Sequence, residues 1–234
     1  MRLYNNALML IFVALFLIVA SIVVISEDKS NKISGNVVNT HVEVLPVSSK
    51  NCSFHLNPGW NMVSFYCLGL FSDRSTVLGS IDGYYGSIFE YNSNDATDPW
   101  KSYNPDLPNW TVQKLTYLDR TVGYWIYIKN GTYTLTDNST NVSTTYDGAF
   151  FYFNGTFKYS TISVYPGWNI VGYPNFHSVN VSDFLDGVPY YIIATYENDT
   201  WYVNTNNDSD NFNVMMPYHG YWLNVSDNEQ IIVN

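Results

Sequence analysis

Nineteen consecutive residues, 7–25, carry no charge and only one conventionally polar side chain, Ser21. A helix rises about 1.5 Å per residue, so this run nearly spans the roughly 30 Å hydrocarbon core of a bilayer. It is longer than the about 7–15 apolar residues of a secretory signal and predicts a retained signal anchor. Removal as a signal peptide, with cleavage after Ser21 or Ser26, is the other reading. Arg2 precedes the run, and Glu27, Asp28, Lys29 and Lys32 follow it, so the flanking cations leave its orientation open. Residues 27–50 mix Ser, Asn, Lys and Val without a period and read as a linker. Within it 42–47 has strand composition, which Pro46 restricts to an edge.

Past residue 50 the pattern changes to short alternating runs, and it repeats. Pro58-Gly59-Trp60-Asn61-Met62-Val63 returns as Pro166-Gly167-Trp168-Asn169-Ile170-Val171, and Gly123-Tyr124-Trp125-Ile126 returns as Gly220-Tyr221-Trp222-Leu223. Between them Tyr84-Tyr85 with 88–91 matches Tyr190-Tyr191 with 194–197, and Trp100 matches Trp201. One order of landmarks occurring twice predicts a mainly β chain. It has a signal anchor or signal peptide at 1–26, the linker at 27–50, and two related tandem β-sandwich or open-barrel modules at 51–146 and 147–234. Residues 55–65 read as a hairpin about Pro58-Gly59. The runs 124–128 and 131–136 read as a second hairpin about Asn130-Gly131. One short helix per module is expected, at 75–81 and at 182–185, the latter capped by Ser182.

These landmarks resemble a module recurrent in archaeal and bacterial surface proteins. It opens Gly-Trp-Asn-Leu-Ile/Val-Ser, passes a Trp-x-x-Tyr-x-Pro segment and closes Gly-Tyr-Trp-Ile. The matching residues are 59–64, Trp100 to Pro105, and 123–126. The second copy departs where Gly172 replaces Ser64 and where Trp201 lacks the following Tyr and Pro. The resemblance implies an envelope-associated, extracellular protein and no particular catalytic activity.

Composition sharpens this picture. The formal net charge is −10, with 13% charged and 18% aromatic residues, so packed cores are affordable and a nucleic-acid partner is excluded by the shortage of clustered cations. Ten Asn-x-Ser/Thr sequons occur, at Asn51, Asn109, Asn130, Asn138, Asn141, Asn154, Asn180, Asn198, Asn207 and Asn224. That is about twice what random placement of 28 Asn and 39 Ser plus Thr produces, and all ten follow the apolar run. They predict N-glycosylation of an exported body.

Candidate chemistry is sparse. A hairpin centred on Gly59–Trp60 brings Cys52 opposite Cys67 and predicts a disulfide, with two free thiols as the alternative. His41, His55, His177 and His219 are scattered. Ser64 lacks the Gly-x-Ser-x-Gly context of a hydrolase nucleophile. The carboxylate pairs Asp95/Asp98 and Asp183/Asp186 read as loop and cap residues. Asn204, Asn206, Asp208 and Asp210 place oxygen ligands at every second position, as calcium loops do, but Ser209 and Met215 stand where an EF-hand has Gly and Glu. Asn92, Asn94, Asp95 and Asp98 form a similar acidic loop. The repeated Trp60/Trp168 and Trp125/Trp222 read as core, and Tyr84, Tyr85, Tyr190 and Tyr191 as the candidates for stacking on sugars. The expectation is a non-catalytic, glycosylated surface protein of structural or adhesive role, with no cofactor beyond possible calcium. It would be held at the membrane through 7–25, or secreted, and would meet envelope glycans or other surface proteins. A carbohydrate-binding module is the alternative, and an extracellular hydrolase the third reading.

Overall fold

Why a chain with so few charges forms so many strands becomes clear from burial on both faces of its central strands. The computed structural model describes residues 49–69, 71–137, 139, 141–156, 159–205 and 211–233. These fall within one compact unit, 45–234. The apolar run at 7–25 and nearly all of the linker lie outside the described residues.

The first copy runs β1 (Ser49–Leu56), β2 (Gly59–Ser64), β3 (Ser72–Asp73), α1 (Arg74–Val77), a 3-10 turn (Leu78–Ile81), β4 (Tyr85–Tyr91), β5 (Trp100–Tyr103), β6 (Tyr117–Leu118), β7 (Gly123–Ile128), β8 (Thr132–Asp137), β9 (Val142–Asp147) and β10 (Ala149–Thr156). The second runs β11 (Ser160–Val164), β12 (Gly167–Gly172), β13 (Val179–Asn180), α2 (Val181–Phe184), β14 (Tyr190–Glu197), β15 (Thr200–Asn204), β16 (Val214–Met215), β17 (Gly220–Val225) and β18 (Glu229–Val233). All described pairings are antiparallel. Each copy has one four-stranded sheet, ordered β2-β7-β4-β5 and β12-β17-β14-β15, and each has a two-stranded ribbon, β1-β10 and β11-β18. The small pairs β3-β6 and β13-β16 also correspond. Among the described strands only the hairpin β8-β9 has no counterpart.

Three expectations need correction. β1 pairs with β10, and β2 pairs with β7, so 55–65 is not a hairpin. β7 pairs with β2 and β4, and β8 pairs with β9, so Asn130-Gly131 joins two different sheets. Both turns carry the right residues, but β1 takes the aromatic strand β10 as its partner, and β7 is paired on both edges by β2 and β4, which leaves β8 to pair with β9. The ribbon β1-β10 joins a strand before position 146/147 to one after it. The third correction concerns α2, whose N-cap position is held by Asn180, without a capping hydrogen bond from its side chain, and Ser182 lies inside the helix. In α1, the Asp73 carboxylate caps by accepting from the Thr76 amide at 3.0 Å.

The repeated motifs serve the same local jobs in both copies. Gly59 and Gly167 have φ of +95° and +93°, a turn conformation that glycine adopts without strain. The Asn61 side chain accepts from the Asn57 amide (3.1 Å) and donates to the carbonyls of Asn57 (2.8 Å) and Gly59 (3.0 Å). Asn169 does the same with Tyr165 and Gly167. Tyr124 and Tyr221 are buried, and their hydroxyls accept from the Asp119 and Met216 amides, each at 2.7 Å.

Each copy has its own core between sheet and ribbon. Phe54, Phe65, Ile88, Tyr124, Ile126 and Phe151 belong to the first, and Val164, Tyr173, Ile193, Tyr221, Leu223 and Ile231 to the second. Cys52, in β1, and Cys67, just after β2, form a disulfide with Cα atoms 6.0 Å apart. The expected bond exists, but it fastens the ribbon to the loop leaving the sheet and is not a cross-hairpin bridge.

The outer faces of the two sheets face each other, and their relation is a pseudo-twofold. Ser64 N–H donates to the Tyr218 carbonyl at 2.6 Å, and the equivalent Gly172 N–H donates to the Thr121 carbonyl at 2.9 Å. Val63 bridges to His219 as Val171 bridges to Val122. A Cβ on Gly123 would lie 2.8 Å from the Val171 carbonyl oxygen, and one on Gly220 would lie 2.7 Å from that of Val63. The glycine of each Gly-Tyr-Trp motif is therefore required by the approach of the other copy's backbone.

Candidate functional site

From that glycine contact the two sheets are filled by aromatic side chains. Along β7, Tyr124, Ile126 and Ile128 point into the first core, which leaves Trp125 and Tyr127 on the outer face. Trp125 contacts Tyr196 and Trp201 of the second copy, at ring-centroid distances of 5.2 and 5.7 Å. Trp222 reciprocally contacts Tyr91 and Trp100 of the first, at 5.4 and 6.0 Å. Trp60 meets Trp125 edge-on at 6.3 Å, and Trp168 meets Trp222 edge-on at 5.9 Å. Met62, Ile170 and Trp222 are buried at the centre. Five of the seven tryptophans thus lie in the cluster between the copies, Trp60 borders it through Trp125, and the seventh, Trp110, is 83% exposed. The sequence reading placed the repeated tryptophans in a core; the core they build is the one between the copies. The alternation Tyr-Trp-Ile-Tyr-Ile, apolar on both faces, is the signal of a strand buried on both sides.

Burial relaxes along this face. Beyond Trp125, Trp60 is half-buried and Tyr127 is 37% exposed. Trp60 packs against Phe89 at 5.8 Å and against Tyr127 at 5.2 Å. Lys129 Nζ and Asp106 Oδ1 are ion-paired beside them at 2.8 Å.

The four tyrosines singled out from sequence do not share a site. Tyr84 is 36% exposed and Tyr191 65%. Tyr85 is 3% exposed, its hydroxyl pKa raised by burial and then by neighbouring Tyr103, which removes it from the surface. Tyr190 is half-buried and donates to Asn204 Oδ1 at 2.9 Å. Register explains the split. Tyr85 lies opposite Ile128 and Tyr190 opposite Val225, so Tyr85 corresponds to Tyr190, one residue off the sequence match. In a strand, one residue changes the face.

The Asn204 side chain is committed to Tyr190 and, through Nδ2, to the Phe212 carbonyl at 3.0 Å. The other members of the calcium pattern, Asn206, Asp208 and Asp210, lie outside the described residues. In the other acidic loop the Lys101 ammonium stands among the ligands, 2.7 Å from Asp95 Oδ2, 2.6 Å from the Asp98 carbonyl and 3.0 Å from Asp98 Oδ2. Hydrogen bonds from Lys101 hold the Asp95 carboxyl well below its usual range, and those from Lys114 and Lys101 lower Asp98. Among the described residues no three His, Cys, Asp or Glu side chains gather as metal ligands. No helix there is long and apolar enough to cross a membrane.

One carboxyl was missed by the sequence reading. Glu90 is half-buried on β4, and its pKa is pushed up to about 7 by burial and then by Asp119, with Lys101 opposing. The register makes Thr195 its counterpart, whose hydroxyl donates to the Gly220 carbonyl at 2.8 Å.

Of the sequons, Asn109, Asn130, Asn141, Asn154, Asn180 and Asn198 are exposed, whereas Asn224 is half-buried in the central strand β17. Asn138 and Asn207 lie outside the described residues, as does the side chain of Asn51. Compared with known proteins, the chain matches no family model, no curated sequence and no solved structure.

Proposed function

We propose that this chain is a non-catalytic, N-glycosylated surface protein of structural or adhesive role. Its body would comprise two tandem small β-sandwich modules outside the cell, held by a membrane segment at 7–25 or secreted after its removal. The observation that carries the reading is the placement of the sequons: six of the seven whose asparagine side chains are described are exposed. Exposure is what a transferred glycan needs. A body locked by a disulfide and by interdigitated tryptophans suits a part that bears load or display, and the resemblance to envelope modules points the same way.

Glycopeptide mass spectrometry of native protein tests this reading. Occupancy is expected among Asn109, Asn130, Asn141, Asn154, Asn180 and Asn198, with Asn224 empty. All ten asparagines unmodified would overturn the glycoprotein reading. Turnover on a general hydrolase panel that vanishes on substituting one Asp or Glu would overturn the non-catalytic one.

A second reading, carbohydrate binding, is favoured by the partly open aromatic surface at Trp60, Phe89 and Tyr127.

A further inference from the structure

We propose that the open end of the first copy's aromatic face is a binding site for a neutral pyranose sugar, formed by Trp60, Phe89 and Tyr127 with Lys129 and Asp106. The proposal rests on the second reading above and gives it a place.

The second copy supplies an internal control. Positions that both copies need for folding carry the same residue type, as the Gly-Trp-Asn and Gly-Tyr-Trp motifs do. At this end of the sheet they diverge. By strand register Phe89 corresponds to Ala194, Tyr127 to Asn224 and Gly86 to Tyr191. The residue two past Tyr127 is Lys129, and the one two past Asn224 is Ser226. The same backbone thus folds with Ala, Asn and Ser at these places, so the two extra aromatic rings and the ammonium are not demanded by the fold.

The geometry converges on Gly86. A Cβ there would sit 3.3 Å from Tyr127 Cδ1, 3.8 Å from Lys129 Cε and 3.9 Å from Asp106 Oδ2. The missing side chain lets the Tyr127 ring, the ammonium stem and the carboxylate crowd over one stretch of backbone. Ring, donor and acceptor are therefore adjacent, with Trp60 and Phe89 extending the apolar side. A pyranose presents the complementary pair of surfaces, a face of C–H groups for rings and a rim of hydroxyls that both donate and accept. Charge selects among sugars. The Lys129–Asp106 pair is neutral as a unit, and the chain carries net −10, so uronic, sialic or phosphorylated ligands are disfavoured. An apolar peptide would leave the ion pair's remaining hydrogen-bonding capacity unused.

The test is isothermal calorimetry and tryptophan fluorescence on the full chain with neutral hexasaccharides of glucose, mannose and N-acetylglucosamine, and with an acidic oligogalacturonate. At least one neutral oligosaccharide is expected to bind and to quench fluorescence. Tyr127→Asn, which installs the second copy's residue, is expected to weaken binding about tenfold, the scale of one aromatic contact. Tyr127→Phe should bind nearly as the parent does, and Tyr84→Ala and Tyr191→Ala should leave binding unchanged. If Tyr127→Asn loses its near-ultraviolet circular dichroism, Lys129→Ser carries the test, and unchanged affinity in it counts against the site. Sugar binding lost on Tyr191→Ala or Tyr84→Ala and retained by Tyr127→Asn would overturn this site while leaving the carbohydrate reading standing. No binding to any neutral oligosaccharide at about 10 mM, an affinity too weak to matter, would overturn both. Binding of the acidic oligomer alone would overturn the proposed ligand class.

Discussion

The two copies share strand order, turn asparagine, buried tyrosine and reciprocal tryptophans, yet they differ in what secures them. The first has the Cys52–Cys67 disulfide. At the position matching Cys52 the second has Ser160, whose hydroxyl accepts from the Nε of Arg120, a buried first-copy residue that also donates to the Leu68 carbonyl at 3.0 Å. The first has a half-buried carboxyl, Glu90, where the second has a satisfied hydroxyl, Thr195. The first carries the hairpin β8-β9 between β7 and β10, where the second has the turn Ser226-Asp227-Asn228. The comparison separates two kinds of residue. What is repeated builds the fold or the contact between the copies, and what is not repeated is free to serve stability, display or binding.

The reciprocal tryptophans set the largest expected effect. Trp222→Ala removes a buried side chain at the centre of the interface and should cost about 4 kcal/mol in denaturant unfolding. Trp125→Ala, its half-buried mate, should cost less, about 3 kcal/mol. Equal losses would mean that the pseudo-twofold is energetically symmetric despite the difference in burial. Losses below about 1 kcal/mol from both would mean that the copies stand without this contact.

Next comes the disulfide. Its partners are 15 residues apart, so replacing both Cys52 and Cys67 by Ser should cost up to about 3 kcal/mol, through the entropy released to the unfolded chain. Alkylation of the folded, unreduced protein should label neither sulfur. Full labelling of both would remove the staple from the first copy and leave the two copies alike in this respect.

Glu90 predicts a pH dependence with a definite sign. Its pKa rises from the ordinary 4.5 to about 7 on folding, so the folded state favours the protonated form. The group's favourable contribution is complete below about pH 4.5, declines as pH rises toward 7 and is absent above it. Glu90→Gln should therefore stabilise the protein by about 2 kcal/mol at pH 8 and by nothing at pH 4. Thermal melts at both pH values decide the matter, and equal shifts at the two would show that the carboxyl is not strained by its burial.

The smallest effect is expected from the hairpin. β9 is exposed along its whole length, and cross-strand contacts such as the stacked Tyr133 and Tyr146 rings, 5.4 Å apart, are largely internal to the arm. Its footing on the body is His55 and Phe150. Replacing 131–147 with the second copy's three-residue turn should cost less than about 1 kcal/mol, since an isolated two-stranded arm adds little stability of its own. A collapse of the melting transition would show instead that the arm buttresses the ribbon β1-β10.

By itself the sequence determined that the chain is mainly β, that its motifs occur twice in one order and where the two short helices fall; it paired the two cysteines through a hairpin that does not form, although the bond itself does. Those features rest on local signals, chiefly period-two alternation and repeated words. Only the tertiary structure decided which strands pair. Pro58-Gly59 and Asn130-Gly131 are good hairpin turns, yet β1 finds β10 across 93 residues from Leu56 to Ala149, because strand pairing is chosen by the apolar face each strand can bury and not by turn residues alone. The same holds for the tyrosines. Tyr84 and Tyr85 differ by one position, and the β4 register sends Tyr85 into the core, a choice that composition cannot express. The tryptophans teach it most plainly: their repetition was visible, but that each copy's Trp lodges between a Tyr and a Trp of the other required two sheets to meet at Gly123 and Gly220, where only the absence of a side chain lets the backbones touch.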